Sequence, residues 1–189
     1  SDRLENAPNV DPEVKIITTG IVRAIDRAVR LSTSTIRFAK DDLPEAHKQK
    51  LSLRDVLTEV QTALQSALPK TEIVLDLPED VAFVADAELM HRAFENLIRN
   101  AGEAAAKEVR LSHHKEGADH IVLVADNGPG MAKRATDHLF VPFAGSAKSG
   151  GTGLGLPIAR EALRVQGGDI ALKSTSQAGT VFAVRLPVN

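Results

Sequence analysis

What the sequence lacks narrows the possibilities first. The 189-residue chain contains no cysteine, so disulfides and thiolate metal sites are excluded. No apolar run approaches the roughly 20 residues that a membrane-spanning helix requires, and Ser1-Asp2-Arg3 does not begin a signal segment. A net charge of -2 without a basic block gives no reason to expect nucleic-acid binding. We expect this portion to be cytoplasmic, with membrane attachment, if any, only through upstream segments.

The composition that remains is that of an ordinary folded protein, 43% apolar and 25% charged. Its length is sufficient for one well-buried domain of roughly 130–150 residues and an appendage. Apolar or small residues recur in a heptad rhythm between Asp11 and Lys40, which predicts one long helix with Pro12 at its start. Ser1 to Asn6 has the pattern of the last turns of an earlier helix. Residues 1–45 are therefore predicted to be a truncated helical hairpin, mainly its second helix.

Residues 50–189 are predicted to form a separate α+β domain, with the boundary in the polar segment 41–50. Helical spacing covers Leu53 to Leu68 and Leu154 to Val165, and Asp86 is expected to cap a further helix that reaches about Lys107. Short apolar or alternating segments predict strands at 71–77, 81–85, 109–113, 120–125, 170–174 and 180–186. Helices and strands do not alternate regularly. This favours a two-layer α/β sandwich, in which helices cover one face of a mixed sheet.

Two segments place polar side chains where chemistry is possible. Asn96 and Asn100 are spaced so that both lie on one face of a helix, and the amide oxygen of Asn100 is a ligand that Mg²⁺ accepts. Such residues also commonly decorate a solvated helix. Asp126-Asn127-Gly128-Pro129-Gly130 directly follows a predicted strand. It is either a plain turn or a carboxylate that accepts a hydrogen bond from an amino group beside glycines that admit a flat ring.

The glycine-rich run Gly150 to Leu156 opens a predicted helix, where free amides and the helix dipole suit phosphates. The dinucleotide pattern fails because Ile158 stands where a third Gly or Ala is needed, and the P-loop pattern fails because Ala147 precedes Lys148-Ser149. Either a mobile lid or a plain loop ahead of a helix remains. Leu139 to Phe143 places two aromatic residues just before it as hydrophobic anchors.

Together and in this order, the four segments resemble the catalytic and ATP-binding domain of sensor histidine kinases, within the superfamily shared with gyrase B and MutL ATPases. The N box is Asn96 to Ala101, the first glycine box is Asp126 to Gly130, the F box is Leu139 to Phe143 and the second glycine box is Gly151 to Leu156. The long first helix resembles the second helix of the family's dimerisation and phosphotransfer hairpin.

The resemblance implies a site for ATP and Mg²⁺. Asp126 would accept a hydrogen bond from the adenine amino group, Asn100 would bind Mg²⁺, and Asn96 would lie near the phosphates. Thr180 would lie behind the adenine pocket, and Lys148 would reach the γ-phosphate. The ATP-binding set that follows is Asn96, Asn100, Asp126, Gly128, Gly130, Lys148, Gly151, Thr152, Gly153, Leu154, Gly155 and Thr180.

Two departures from the family pattern change the expected reaction. Glu103 stands where many members carry Lys or Arg, so the cationic phosphate contact would come from Arg99, Lys148 or elsewhere. No histidine resembles the family's phosphoacceptor; the six in the chain are His47, His91, His113, His114, His120 and His138. We therefore expect the chain to bind ATP and Mg²⁺ without phosphorylating itself.

In the intact protein, the resemblance implies a homodimer that phosphorylates a histidine for relay to an aspartate of a response regulator receiver domain. Asn96 supports this over hydrolysis, because the family's ATPases usually carry a water-activating glutamate there and an amide is a poor base. Two alternatives stay open, an ATP-hydrolysing member of the superfamily and a non-catalytic dimerisation scaffold with a degenerate nucleotide pocket.

Overall fold

The structure, a computed structural model, describes residues 46–77, 81–143 and 153–186. Within these ranges the elements run in the order β1 (Gln49–Ser52), α1 (Leu53–Gln65), β2 (Glu72–Asp76), β3 (Ala82–Ala85), α2 (Ala87–Glu103), β4 (Glu108–Glu116), β5 (Asp119–Asp126), α3 (Lys133–Thr136), α4 (Gly155–Arg164), β6 (Asp169–Ser176) and β7 (Gly179–Arg185). The helical hairpin predicted for residues 1–45 lies outside the described residues.

The sheet is mixed, as predicted. Five strands lie in the order β2-β4-β5-β7-β6. The β2–β4 pair is parallel and the other three pairs are antiparallel. One hydrophobic cluster joins the buried faces of α1, α2 and α4 to alternate residues of the strands, such as Val122, Val124 and Phe182. The α+β fold class with helices over one face of a mixed sheet is therefore confirmed.

Local capping explains where the second helix begins and ends. Asp86 accepts a hydrogen bond from the backbone N–H of Leu89 at 3.0 Å, so its predicted role as the N-cap is confirmed. The helix ends at Glu103, short of the predicted Lys107. The turn is made by Ala105, which adopts a positive φ of 64° and donates its N–H to the carbonyl of Gly102.

The folded domain includes residues ahead of the predicted start at residue 50. Strand β1 pairs with β3 in a separate two-stranded sheet. The backbone N–H of His47, a residue that the sequence placed in a linker, donates to Asp86 Oδ2 at 2.8 Å. Polar residues such as Gln49 and Lys50 form a strand here because they pair with the apolar residues Ala85 and Val84 of β3.

A buried amide fixes α4 against the start of α2. The side chain of Gln166 is 1% exposed; it accepts a hydrogen bond from the N–H of Asp86 at 2.9 Å and donates to the carbonyl of Ala162 at 2.8 Å. These bonds engage both the oxygen and the nitrogen of the buried amide, and a polar side chain is tolerated in a core when its groups are hydrogen-bonded in this way. Among the helices described, none has the length and apolar character needed to cross a bilayer.

The inner face of the sheet changes character at one end. Directly opposite residues on β5, β7 and β6 form cross-strand rows that share this face. Two successive rows are apolar, and the row that ends the sheet is polar: Val122, Val184 and Ile170, then Val124, Phe182 and Leu172, then Asp126, Thr180 and Thr175. The polar row positions the candidate site.

Candidate functional site

Asp126, the last residue of β5, presents one carboxylate oxygen to the protein. Asp126 Oδ1 accepts the backbone N–H groups of Gly128 at 2.8 Å and of Thr180 at 3.3 Å. For Oδ2, the described residues provide no hydrogen-bond partner. The two amides fix the carboxylate, and Oδ2 remains an acceptor for a donor from outside the chain.

The glycines around Asp126 make room for close backbone contacts. A Cβ on Gly130, which has a φ of 74°, would lie 2.0 Å from the carbonyl oxygen of Ser176. A Cβ on Gly128 would lie 2.9 Å from Asp126 Oδ1. Gly179, with a φ of 134°, would place its Cβ 1.8 Å from the carbonyl oxygen of Asp126. Only glycine permits the packing of Gly130 against Ser176 of β6 and of Gly179, the first residue of β7, against Asp126.

Asn100 on α2 faces the first residue of α4. A Cβ on Gly155 would lie 2.8 Å from Asn100 Oδ1 and 3.0 Å from Asn100 Nδ2. No hydrogen bond engages this amide within the part of the chain that the structure describes. Helix α4 starts without a side-chain cap. The amide of Asn100 therefore lies against a helix N-terminus, the end that attracts anions.

Asn96 and its neighbours on α2 are partly engaged. Asn96 Nδ2 donates to the carbonyl of Arg92 at 2.8 Å, which leaves its Oδ1 as an acceptor. Arg99, one of the cations that the sequence offered to a phosphate, forms an ion pair with Glu95 one turn earlier. That pairing also occupies Glu95, the carboxylate nearest to Asn96 in the sequence.

A charged cluster holds the F box against α4. The Arg160 guanidinium lies 4.4 Å from the centroid of the Phe140 ring, a cation–π contact. Asp169 Oδ1 accepts from Arg160 Nε at 3.0 Å, and Arg164 contacts the same carboxylate. Partial burial raises the pKa of Asp169, but the hydrogen bonds from the two arginines outweigh it and lower the pKa to about 2. Asp169 is therefore charged at neutral pH.

The end of the F box meets Gly153 of the second glycine box. The N–H of Phe143 donates to the carbonyl of Gly153 at 3.2 Å. Gly153 has a φ of 68°, and a Cβ there would lie 3.0 Å from the Cα of Phe143. Phe143 itself has a positive φ of 64° and is 55% exposed. Glycine at position 153 thus avoids both a strained positive φ and a tight contact where the two boxes touch.

Four of the predicted residues, Gly155, Asn100, Gly128 and Asp126, are linked by a series of close approaches and hydrogen bonds. Gly155 lies against Asn100; the N–H of Ala104, one turn further on, donates to the carbonyl of Asn100. A Cβ on Gly128 would lie 3.6 Å from the carbonyl oxygen of Ala104. The backbone N–H of Gly128 in turn donates to Asp126 Oδ1. Of the other predicted residues, Leu154 is fully buried, and Lys148, Gly151 and Thr152 lie outside the described residues.

The sequence interpretation missed two participants in this site. Thr175 Oγ1 accepts the backbone N–H of Met131 at 2.9 Å and lies 3.2 Å from Thr180 Oγ1. Neither Thr175 nor Met131 belongs to one of the four boxes. No sequence signal marks Thr175, because the strand pattern places its neighbour Ser174 on the inner face.

The fold and the site together define an α/β sandwich whose polar sheet end, helix N-terminus and glycine turns converge. Residues 85–189 match the family described as histidine kinase-, DNA gyrase B- and HSP90-like ATPases, and the chain belongs to this family. The signal transduction histidine-protein kinase AfsQ2 of Streptomyces coelicolor is 27% identical over 190 residues, covering 95% of this chain. The present chain spans only 34% of the length of that relative.

Solved structures share the fold. The structure of full-length ShkA in complex with AMPPNP aligns with a TM-score of 0.76 at 22% identity, over 97% of this chain and 40% of that one. The structure of the histidine kinase ThkA in complex with the response regulator protein TrrA also aligns with a TM-score of 0.76, at 20% identity, over 99% of this chain and 55% of that one. At these identities the likeness establishes the fold alone.

Proposed function

We propose that residues 50–189, with the adjoining residues from 46, are the catalytic and ATP-binding domain of a sensor histidine kinase. The observation that carries the proposal is the convergence of Asp126, Asn100 and Gly155 through contacts at one end of the sheet. Membership of the ATPase family and a nucleotide-analogue complex among the structures of similar fold support it.

The adenine end of the site is assigned to the polar row. Asp126 Oδ2 accepts the exocyclic amino group, and Thr180, 4% exposed, lies behind the adenine pocket, at the end towards which the edge of the base points. Gly128 and Gly130 allow the first glycine box to lie close to Asp126 and to Ser176, which keeps the carboxylate in place. The carboxylate acts as a fixed acceptor because its other oxygen is held by two backbone amides.

The phosphate end is assigned to the junction of α2 and α4. The start of α4 supplies amide groups and the positive end of a helix dipole, together with Gly153, Leu154 and Gly155. Gly151, Thr152 and Lys148 complete this assignment from the sequence. Asn96 Oδ1 lies on the same helix face as Asn100, one turn earlier, and is assigned to the solvent shell near the phosphates.

Asn100 fits a Mg²⁺ ligand in chemistry. Its amide oxygen has no competing hydrogen bond within the described ranges, and Mg²⁺ takes few protein oxygens when phosphates and waters supply the rest. The described residues hold no group of three or more His, Cys, Asp or Glu arranged for a metal. A Mg²⁺ bound here would neutralise phosphate charge, with Asn100 as its contact to the chain.

The reaction we assign is transfer of the γ-phosphoryl group to a histidine on the family's hairpin. Such transfer rests on positioning and charge neutralisation more than on protein acid–base chemistry. Hydrolysis needs a base for water, and Asn96 is an amide while Glu95 is paired with Arg99. We further propose that residues 1–45 are a truncated part of that hairpin, mainly its second helix, and that the intact protein is a homodimer. Its phosphohistidine would then pass the phosphoryl group to an aspartate of a response regulator.

Phosphotransfer in trans tests this assignment. The chain is incubated with γ-labelled ATP, Mg²⁺ and a separate hairpin that carries the acceptor histidine of a related sensor kinase. We expect acid-labile, base-stable label on the hairpin, reduced by Asp126→Asn and retained by Asp119→Asn, a control at the other end of the same strand. Steady release of free phosphate with no labelled hairpin would instead favour the hydrolase alternative.

A further inference from the structure

Strand β6 carries an irregularity beside the site. The register pairs Leu172 with Phe182 and then Ser174 with Val181, so Lys173 is an extra residue without a partner on β7. Because of this extra residue, each later side chain of β6 lies on the face opposite to the one that regular alternation would give it. Bulges often lie next to functional sites, where they redirect a side chain.

The consequence of the bulge is an exchange of faces between two hydroxyl residues. Continuing the alternation of Ile170 and Leu172 would place Ser174 on the inner face. With the bulge, Thr175 lies opposite Thr180 on the inner face, and Ser174 is exposed opposite Val181. The irregular register thus adds a hydroxyl to the row formed by Asp126 and Thr180.

The Thr175 hydroxyl joins the first glycine box to Thr180. Its oxygen accepts the N–H of Met131 at 2.9 Å and lies 3.2 Å from Thr180 Oγ1. A hydroxyl that accepts a hydrogen bond from an amide becomes a better donor, so the favoured direction runs from Met131 through Thr175 to Thr180. In that direction Thr180 Oγ1 accepts from Thr175, and its own proton points away from Thr175.

We propose that Thr175 is a positioning residue that sets the purine specificity of the site by fixing the donor direction of the Thr180 hydroxyl. This rests on the nucleotide function proposed above. Asp126 Oδ2 is then an acceptor and Thr180 a donor on the same cross-strand row. Adenine offers the complementary edge, an amino donor next to a ring-nitrogen acceptor. A 6-oxopurine such as hypoxanthine offers the reverse, a carbonyl acceptor next to a ring N–H donor.

Removal of the Thr175 hydroxyl releases this restraint. In Thr175→Val, which keeps the shape of the side chain, the Thr180 hydroxyl is free to rotate and to accept from a ring N–H. One neutral hydrogen bond corresponds to roughly 2- to 10-fold in affinity. We expect the preference for ATP over ITP, measured as the ratio of their Kd values with Mg²⁺, to fall by about that factor.

The experiment compares three variants with the wild-type chain in calorimetric titrations with ATP and with ITP. Thr175→Ser keeps the hydroxyl and should retain the wild-type ratio. Ser174→Ala removes the exposed hydroxyl on the other face and should also retain it. Loosening of the fold would weaken both nucleotides together and leave the ratio unchanged, so the ratio separates positioning from stability.

The outcomes distinguish this inference from the function on which it rests. A wild-type chain that binds neither nucleotide would overturn the proposed function. A wild-type chain that prefers ATP, with an unchanged ratio in Thr175→Val, would overturn only the role of Thr175. If Thr175→Val does not fold, Thr175→Ser decides the inference. A lower ATP-to-ITP preference in Thr175→Ser, with the wild-type preference kept in Ser174→Ala, would contradict it.

Discussion

At the scale of single residues, two glycines with similar backbone angles separate conformational strain from close packing. Gly117 has a φ of 62° with nothing within 4 Å of an added Cβ, whereas Gly130 has a φ of 74° and the Ser176 carbonyl oxygen at 2.0 Å. We expect Gly117→Ala to lower the free energy of unfolding by about 1–2 kcal/mol, the cost of a positive φ. Gly130→Ala should cost at least about 3 kcal/mol, because displacement of packed backbone is added. Urea unfolding measures both, and equal losses would contradict the packing at Gly130.

A histidine pair on the β4–β5 hairpin gives the stability a dependence on pH. His113 Nε2 and His120 Nδ1 are 2.8 Å apart, with an angle of 22° between the rings, so one ring donates and the other accepts. Burial lowers the pKa of His113, and the nearby His120, His114 and Lys115 lower it further. Just below pH 6.5, the ordinary pKa of a histidine side chain, the folded chain therefore binds fewer protons than the unfolded chain.

We therefore expect the free energy of unfolding to fall as the pH drops through about 6.5 and to level off below the lowered pKa of His113. Urea unfolding at several pH values measures the effect. His113→Gln should flatten this dependence, and His91→Gln, a change outside the pair, should preserve it. A His113→Gln curve parallel to that of the wild type would count against the assignment.

Sequence reasoning at this scale succeeded where residue type and local position suffice. Asp86 was predicted as a cap because a carboxylate before an apolar-periodic segment has one common use, and the structure confirms it. Thr175 was missed because the bulge at Lys173 decides which face of the sheet its side chain occupies. Strand alternation alone places Ser174, and not Thr175, on the inner face.

At the scale of elements, helix α4 approaches Asn100 of α2 at Gly155, a residue without a side chain. Gly155→Ala would place a methyl group 2.8 Å from Asn100 Oδ1, so the amide must move. We expect Gly155→Ala and Asn100→Ala each to weaken Mg²⁺-dependent ATP binding. The double variant should be little weaker than Asn100→Ala, with a coupling of about 0.5–3 kcal/mol.

The matched control is Gly102→Ala on α2. Its Cβ would meet the flexible side chain of Leu68 at 2.7 Å, away from Asn100. It should reduce stability while leaving the Mg²⁺ dependence of binding intact. Additive losses for Gly155 and Asn100 in calorimetric titrations would show that the two residues do not act through one contact.

Two elements were not predicted, for different physical reasons. Strand β1 consists of Gln49, Lys50, Leu51 and Ser52, which has little apolar alternation; its pairing with β3 supplies the order. Helix α3 is only four residues long, too short for a period to be read. The longer helices and the central strands were predicted because their apolar spacing is sustained over several turns or pairs.

At the scale of the whole molecule, the chain is proposed to hold the donor half of a phosphotransfer reaction. With ATP and Mg²⁺ alone, we expect no stoichiometric phosphohistidine on this chain, because none of its six histidines lies in a sequence like the family's acceptor. Mass spectrometry under conditions that preserve phosphohistidine measures this. A stoichiometric phosphohistidine on the isolated chain would contradict the prediction.

The order of the four boxes made the family predictable from the sequence, although each box alone was ambiguous. Local patterns predicted the sheet, the main helices and the position of Asp126 at a strand end. They did not predict that one oxygen of Asp126 is held by Gly128 and Thr180, because the bond to Thr180 joins segments that are distant in the sequence.

Calorimetric titration of the chain with ATP in the presence of Mg²⁺ tests directly whether Asp126 belongs to an ATP site. We expect the wild type to bind one equivalent, and Asp126→Asn to bind at least about 10-fold more weakly, because an amide presents N–H where the adenine amino group needs an acceptor. Asp119→Asn should bind like the wild type. Absence of binding by the wild type, or equal affinity in Asp126→Asn, would contradict an ATP site built on Asp126.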